Sequence, residues 1–71
     1  MAEISAAMKT YKRYAEIRDA KKMTDYGVAK AANVGRNTIS AWKQAVYTPK
    51  YDKILKISEV LGVDPRLIME G

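Results

Sequence analysis

The sequence predicts an all-α domain, a compact bundle of five short helices. Ile54, Ile57, Ser58 and Leu61 recur at the i, i+3, i+4, i+7 spacing of one helix face. Residues that start and stop helices punctuate the chain at Thr24-Asp25, Asn33, Thr48-Pro49, Gly62 and Asp64-Pro65. No stretch shows the apolar-polar alternation of a half-buried strand, and no internal repeat or low-complexity segment occurs.

The first seven residues, MAEISAA, carry no clear pattern and precede a second methionine, Met8. Residues 1–8 therefore remain an unassigned extension, for which a frayed end, a cloning remnant and the start of helix 1 fit equally. Helix 1 is expected over Lys9 to Lys22, where no Gly or Pro interrupts, with Tyr11, Tyr14, Ile17 and Lys21 forming one stripe. Glu16 with Ala20 and Arg18 with Lys22 offer no favourable charge pair, so packing has to hold this helix. Thr24 is the expected N-cap of helix 2, which runs from Asp25 to about Ala32 and turns Val28, Ala29 and Ala32 inward. Gly27 within it costs about 1 kcal/mol relative to alanine and suggests a close approach. Asn33 tolerates the left-handed conformation that ends helices, and Val34 points inward from the turn.

Helix 3 is expected from Arg36 to about Val46, with Ile39 and Trp42 inward, and stops before Thr48-Pro49. Core packing of Trp42 follows from its spacing with Ile39, and Tyr11, Tyr14 and Tyr51 receive the same assignment. Helix 4 spans Tyr51 to Leu61, and Gly62 takes the C′ position after it. Asp64 as N-cap and Pro65 at N1 restart a last helix, in which Leu67 and Ile68 close the core.

Seventy-one residues make one domain, near the lower size limit for folding without disulfides or metals. With no cysteine and no histidine, only carboxylates remain as metal ligands, and the usual general base is missing. No enzyme, cofactor or small-molecule substrate is expected. No apolar run approaches the roughly 20 residues that cross a bilayer and no signal-peptide pattern opens the chain, so the expected compartment is the cytoplasm. Of the net charge of +5, residues 9–50 hold ten Lys or Arg against Glu16, Asp19 and Asp25, whereas residues 51–71 hold three against four. A basic front suits a polyanion, nucleic acid or an acidic membrane, although an ordinary solvated surface explains the charge equally well. A membrane role needs bulky apolar residues on an unpaired helix, and here the core uses them up.

Helices 2 and 3, joined by a turn of three or four residues with the second helix polar and exposed, have the form of a helix-turn-helix. Ala29 is small enough for helix 3 to cross closely, Asn33 accepts a positive φ, and Val28, Val34, Ile39 and Trp42 anchor helix 3 from behind. Arg36, Asn37, Ser40, Ala41, Lys43 and Gln44 are left on the other face.

The span Met23 to Val63 resembles the helix-turn-helix domain of the phage repressor and Cro family, the Cro/C1 or xenobiotic-response-element type. The matching pieces are MTDYGVAKAANVGRNTISAWK, YTPK and ILKISEVLGVD, in the family's order and spacing, extended by YAEIRDAKK. The resemblance implies a lambda-repressor-like domain over residues 9–71, with its motif at about 24–44. It also implies binding to double-stranded DNA, at a palindromic operator, as a homodimer that represses transcription. Three positions depart from the family. Asp25 stands where many members carry a phosphate-binding glutamine, which shifts that contact to Thr24 or Tyr26. Lys43 replaces a glutamate that pairs with the helix 1 arginine, so no such pair with Arg18 is expected and Lys43 is available to phosphate. Ala45 replaces the usual glycine after helix 3, leaving the end of that helix open.

With helix 3 in the major groove, Arg36 is the candidate for guanine and Asn37 for adenine, Thr38 and Ser40 bond a base or phosphate, and the Ala41 methyl meets thymine. Thr24, Tyr26, Lys43, Gln44, Tyr47, Thr48 and Lys50 are the expected phosphate contacts. Lys9, Lys12, Arg13 and Lys30 are weaker candidates. Residues 63–68 serve either as a dimer contact or as a closing core helix. The rival readings are an antitoxin-type regulator with a second protein partner, and a protein-binding helical module, which would need apolar anchors on the helix 3 face.

Overall fold

A computed structural model describes residues 5–70. Five helices follow one another, α1 (Ala6–Ala20), α2 (Asp25–Ala32), α3 (Arg36–Lys43), α4 (Tyr51–Leu61) and α5 (Arg66–Met69), and no strand occurs among the described residues. Residues 1–4 of the unassigned extension lie outside that range. The remainder belongs to α1, because the Ser5 hydroxyl caps it by accepting from Met8 N at 3.1 Å. Three turns of α1 then pack through Ala7, Thr10 and Tyr14, with Tyr11 and Ile17 half-buried beside them. Lys21 is exposed, not part of the buried stripe, since α1 has already stopped at Ala20.

Four helices in succession end with the same device. Lys22, Asn33, Ala45 and Gly62 adopt left-handed φ values of 57°, 57°, 62° and 70°. In each case the next residue donates backward, Met23 N to Arg18 O, Val34 N to Ala29 O, Val46 N to Ala41 O and Val63 N to Ser58 O, at 2.9–3.1 Å. This six-to-one bond defines the Schellman motif, in which the donor is commonly apolar and packs back on its helix. Met23, Val34 and Val63 do so, whereas Val46 is exposed. The motif at Ala45 explains why α3 ends at Lys43, short of the expected Val46: the chain reverses there in spite of lacking a glycine.

The core is built from Tyr14, Val28, Ala29, Ile39, Trp42, Ile54, Ile57, Leu61 and Ile68, with Ala7, Ala32 and Val34 at its margin. Trp42 is the largest member, and its Nε1–H donates to Thr10 Oγ1 at 2.9 Å. Tyr14 lies against it at 4.8 Å between ring centroids and Tyr11 meets it edge-on at 5.6 Å, arrangements that aromatic quadrupoles favour. Two expected core residues face outward. Tyr51 is the first residue of α4 and is exposed, standing at the helix end beyond the buried stripe. Leu67 is also exposed, because the single turn of α5 can direct only one of two adjacent side chains inward, and Ile68 takes that place. Asp64 Oδ1 accepts from Arg66 N at 2.9 Å, and Arg13 Nη1 ties α5 to α1 by donating to Met69 O at 3.0 Å.

Candidate nucleic-acid interface

The two helices of the motif meet through side chains that the sequence places one turn apart. Thr24 Oγ1 accepts from Gly27 N at 3.0 Å and fixes the start of α2. A Cβ at Gly27 would stand 3.2 Å from that same oxygen, so the close approach at this glycine is to its own cap. Ala29 is fully buried, and Val34 drops into the core from the turn. On α3, Ile39 and Trp42 face inward, and a step of about 100° per residue leaves Asn37, Ser40, Ala41 and Gln44 outermost.

That outer ridge is polar. Arg36, Asn37, Ser40, Lys43 and Gln44 are exposed, Ala41 is half-buried, and Gln44 Nε2 donates to Ser40 Oγ at 3.3 Å. A shallow groove runs along each flank. The first, toward α2, is lined by Asp25, Tyr26, Arg36, Ile39, Ser40 and Lys43. The second, toward α4, is lined by Thr38, Tyr47, Thr48, Pro49, Lys50 and Lys53. Thr38 is half-buried and belongs to this second groove, apart from Arg36 and Ser40. Gln44 stands at the far end of the ridge, two turns beyond Asn37. Lys53, which the sequence did not single out, lines the same groove one helical turn beyond Lys50.

Asp25 does not face outward as a bare charge. Its Oδ1 accepts from Arg18 Nη1 at 2.7 Å and Tyr14 Oη at 2.8 Å, and its Oδ2 accepts from Tyr11 Oη at 2.9 Å. Burial alone would raise this carboxyl, but the hydrogen bonds from Arg18, Tyr14 and Tyr11 together hold it below the usual carboxylate range. The same carboxylate and burial push both tyrosine hydroxyls up, Tyr14 the more strongly. Arg18 also pairs with Asp19 at 2.9 Å and lies over the Tyr14 ring. Asp25 thus supplies Arg18 with a carboxylate, and Lys43 remains in the groove facing outward.

A helix-turn-helix family model matches residues 15–68, which begins inside α1 and ends inside α5. The chain belongs to the Cro/C1-type helix-turn-helix family. It is a DNA-binding helix-turn-helix regulator. No curated protein and no solved structure matches the chain significantly. No helix among the described residues of this helix-turn-helix domain is long and apolar enough to cross a membrane, and no cluster of acidic residues there is arranged to hold a metal.

Proposed function

We propose that this helix-turn-helix domain reads duplex DNA sequence-specifically and represses transcription as a cytoplasmic regulator of phage or bacterial type, bound as a homodimer to a palindromic operator. The observation that carries this reading is the α3 ridge, whose outer face is polar but for the small Ala41 and which is held from behind by Ile39 and Trp42. A protein-binding face would instead expose large apolar anchors there.

Inserted into the major groove, α3 presents Arg36 to guanine O6 and N7, Asn37 to adenine N6 and N7, and the Ser40 hydroxyl and Ala41 methyl to further base edges. Each bidentate contact contributes about 1–3 kcal/mol of discrimination. The two grooves accommodate the two sugar-phosphate strands. Tyr26 and Lys43, with Thr24 at the start of α2, meet one strand, and Thr38, Tyr47, Thr48, Lys50 and Lys53 the other. Thr24 Oγ1 already accepts from Gly27 N, so it serves phosphate through its own O–H. Gln44 reaches either a phosphate or a base from the end of the ridge. Two copies reading half-sites about 34 Å apart give the palindrome its spacing.

Selection of bound sequences from random duplex DNA, at low and moderate salt, tests the reading with Asn37→Ala beside the parent. A palindromic motif that relaxes at one base pair per half-site in the variant supports it. Binding that tracks salt alone, with no recovered motif, would mean a general polyanion surface instead.

A further inference from the structure

We propose that Tyr26 is a positioning residue for Arg36, presenting its guanidinium edge to the base while the aromatic ring holds its face. This inference rests on α3 being a DNA reader. Arg36 Cζ lies 5.7 Å from the centroid of the Tyr26 ring, within the range at which a guanidinium is drawn to an aromatic face. Both side chains are exposed and line the groove between α2 and α3. Tyr26 leaves 58% of its surface to solvent, a large exposure for an aromatic residue.

Two further features point the same way. The arginine is the first residue of α3, where a long side chain would otherwise lose several free torsions on docking. A cation–π contact uses none of the five N–H donors of the guanidinium as hydrogen bonds, so they stay available to a base. The competing partner is Asp25, the acidic residue of the same groove, and a carboxylate would take the donor edge itself. Arg18, Tyr14 and Tyr11 already donate to both oxygens of Asp25, and its ion pair is with Arg18, not with Arg36. Among the described residues the ion pairs are Arg18–Asp19, Arg18–Asp25 and Arg66–Asp64, so Arg36 reaches the groove with its charge and its donors uncancelled.

The ring and the hydroxyl of Tyr26 have separable duties. The hydroxyl addresses a phosphate and affects all sequences alike; the ring affects only the base pair that Arg36 reads. The test measures equilibrium binding of the parent, Tyr26→Phe and Tyr26→Leu to the selected operator and to duplexes altered singly at the Arg36 and Asn37 base pairs. Each comparison is repeated on an Arg36→Ala background. Tyr26→Phe is expected to keep the base preference of the parent. Tyr26→Leu is expected to reduce discrimination at the Arg36 base pair by roughly two- to fivefold, without altering discrimination at the Asn37 base pair and without effect on discrimination once Arg36 is alanine. The exposed position makes both variants foldable, which an unfolding midpoint verifies. Uniform weakening of Tyr26→Leu on every duplex, or a Tyr26→Phe loss equal to that of Tyr26→Leu, overturns the inference while leaving the DNA-reading role intact. Absence of any base preference in the parent refutes that role, and the inference with it.

Discussion

Arg18 Nη1 stands 2.7 Å from Asp25 Oδ1, an ion pair that fastens the end of α1 to the first residue of α2. The tyrosines at positions 11 and 14 close on the same carboxylate, so one side chain gathers three donors from a single helix. Replacing Asp25 by alanine removes the acceptor of the Tyr14 and Tyr11 hydroxyls and leaves Arg18 with Asp19 as its ion-pair partner. The pair is only partly buried, so water repairs some of the loss, and the expected destabilisation is about 1–3 kcal/mol. Urea unfolding of Asp25→Ala, and of Arg18→Met for the opposite partner, measures it. A change within about 0.5 kcal/mol for both would mean that the network is ornamental to the fold.

The same carboxylate gives stability a pH dependence whose sign can be worked out. Asp25 titrates lower in the folded state than in the unfolded chain, where a carboxyl of this type titrates near about 3.9. Its stabilisation is therefore complete above that value and disappears as pH falls through the lower, folded one. Tyr14 behaves oppositely, since burial and Asp25 push its hydroxyl up. Its neutral form favours folding, and stability declines once pH exceeds about 10, where the unfolded tyrosine ionises. Unfolding midpoints across pH should fall at both extremes. Asp25→Asn is expected to flatten the acid limb and Tyr14→Phe the alkaline one.

Helix ends supply a gain of stability. Ala45 holds a φ of 62°, where its Cβ crowds the following carbonyl. Glycine avoids that strain, and although it also loosens the unfolded chain, the net expected gain for Ala45→Gly is about 0.5–1 kcal/mol. Lys22→Gly should act similarly, and Asn33→Gly less, because asparagine tolerates this conformation better. Gly62→Ala is the reverse experiment: nothing lies within 4 Å of a Cβ there, so any loss measured reports backbone strain, less the entropy that alanine removes from the unfolded chain, and no steric clash. Thermal unfolding of the four variants should rank them in that order.

Thr10 isolates one buried hydrogen bond. Its Oγ1 accepts from Trp42 Nε1 at 2.9 Å and donates to Ala6 O at 2.8 Å, linking the back of the recognition helix to α1. Thr10→Val preserves the side-chain shape but leaves the indole N–H buried without an acceptor, at an expected loss of about 1–3 kcal/mol. Trp42→Phe removes the donor as well and also leaves a void, so it should cost more. Equal unfolding free energies for the parent and Thr10→Val would show that the indole has found another acceptor.

The motif was legible in the sequence because each of its requirements is local. Thr24 as cap, Asn33 at positive φ, Val34 in the turn, and Ile39 with Trp42 behind α3 are all fixed by neighbours within two helical turns. What escaped the reading depends on partners across the fold or on weak local signals. Asp25 read as a charge at a helix start, because nothing in a linear sequence shows that α1 brings Arg18, Tyr14 and Tyr11 around it. Ala45 gave no stop signal, since alanine is the strongest helix former and adopts its left-handed conformation only under the constraint of the turn. Leu67 and Ile68 are adjacent on a four-residue helix, too short for periodicity to say which is buried. Lys53 was passed over because α4 read as a core helix, although its first turn borders the second groove.

That turn provides the remaining prediction. Lys50 and Lys53 line the groove beside the recognition helix, on the side expected to follow a phosphate strand, while Lys56 lies in a separate groove with Ala31, Ala32, Asn33, Glu59 and Val60. A cation that neutralises a phosphate releases a counterion, so its removal reduces the slope of log affinity against log salt by about 1. Lys50→Ala and Lys53→Ala should each do so, weakening binding to all duplexes without shifting base preference, and Lys56→Ala should leave the slope unchanged although it removes the same charge. Loss of fold is a poor explanation for the effect, because a lysine at the start of α4 opposes the helix dipole and its removal stabilises slightly. Equal slopes for all three variants and the parent would place the phosphate strand elsewhere and remove the second groove from the interface.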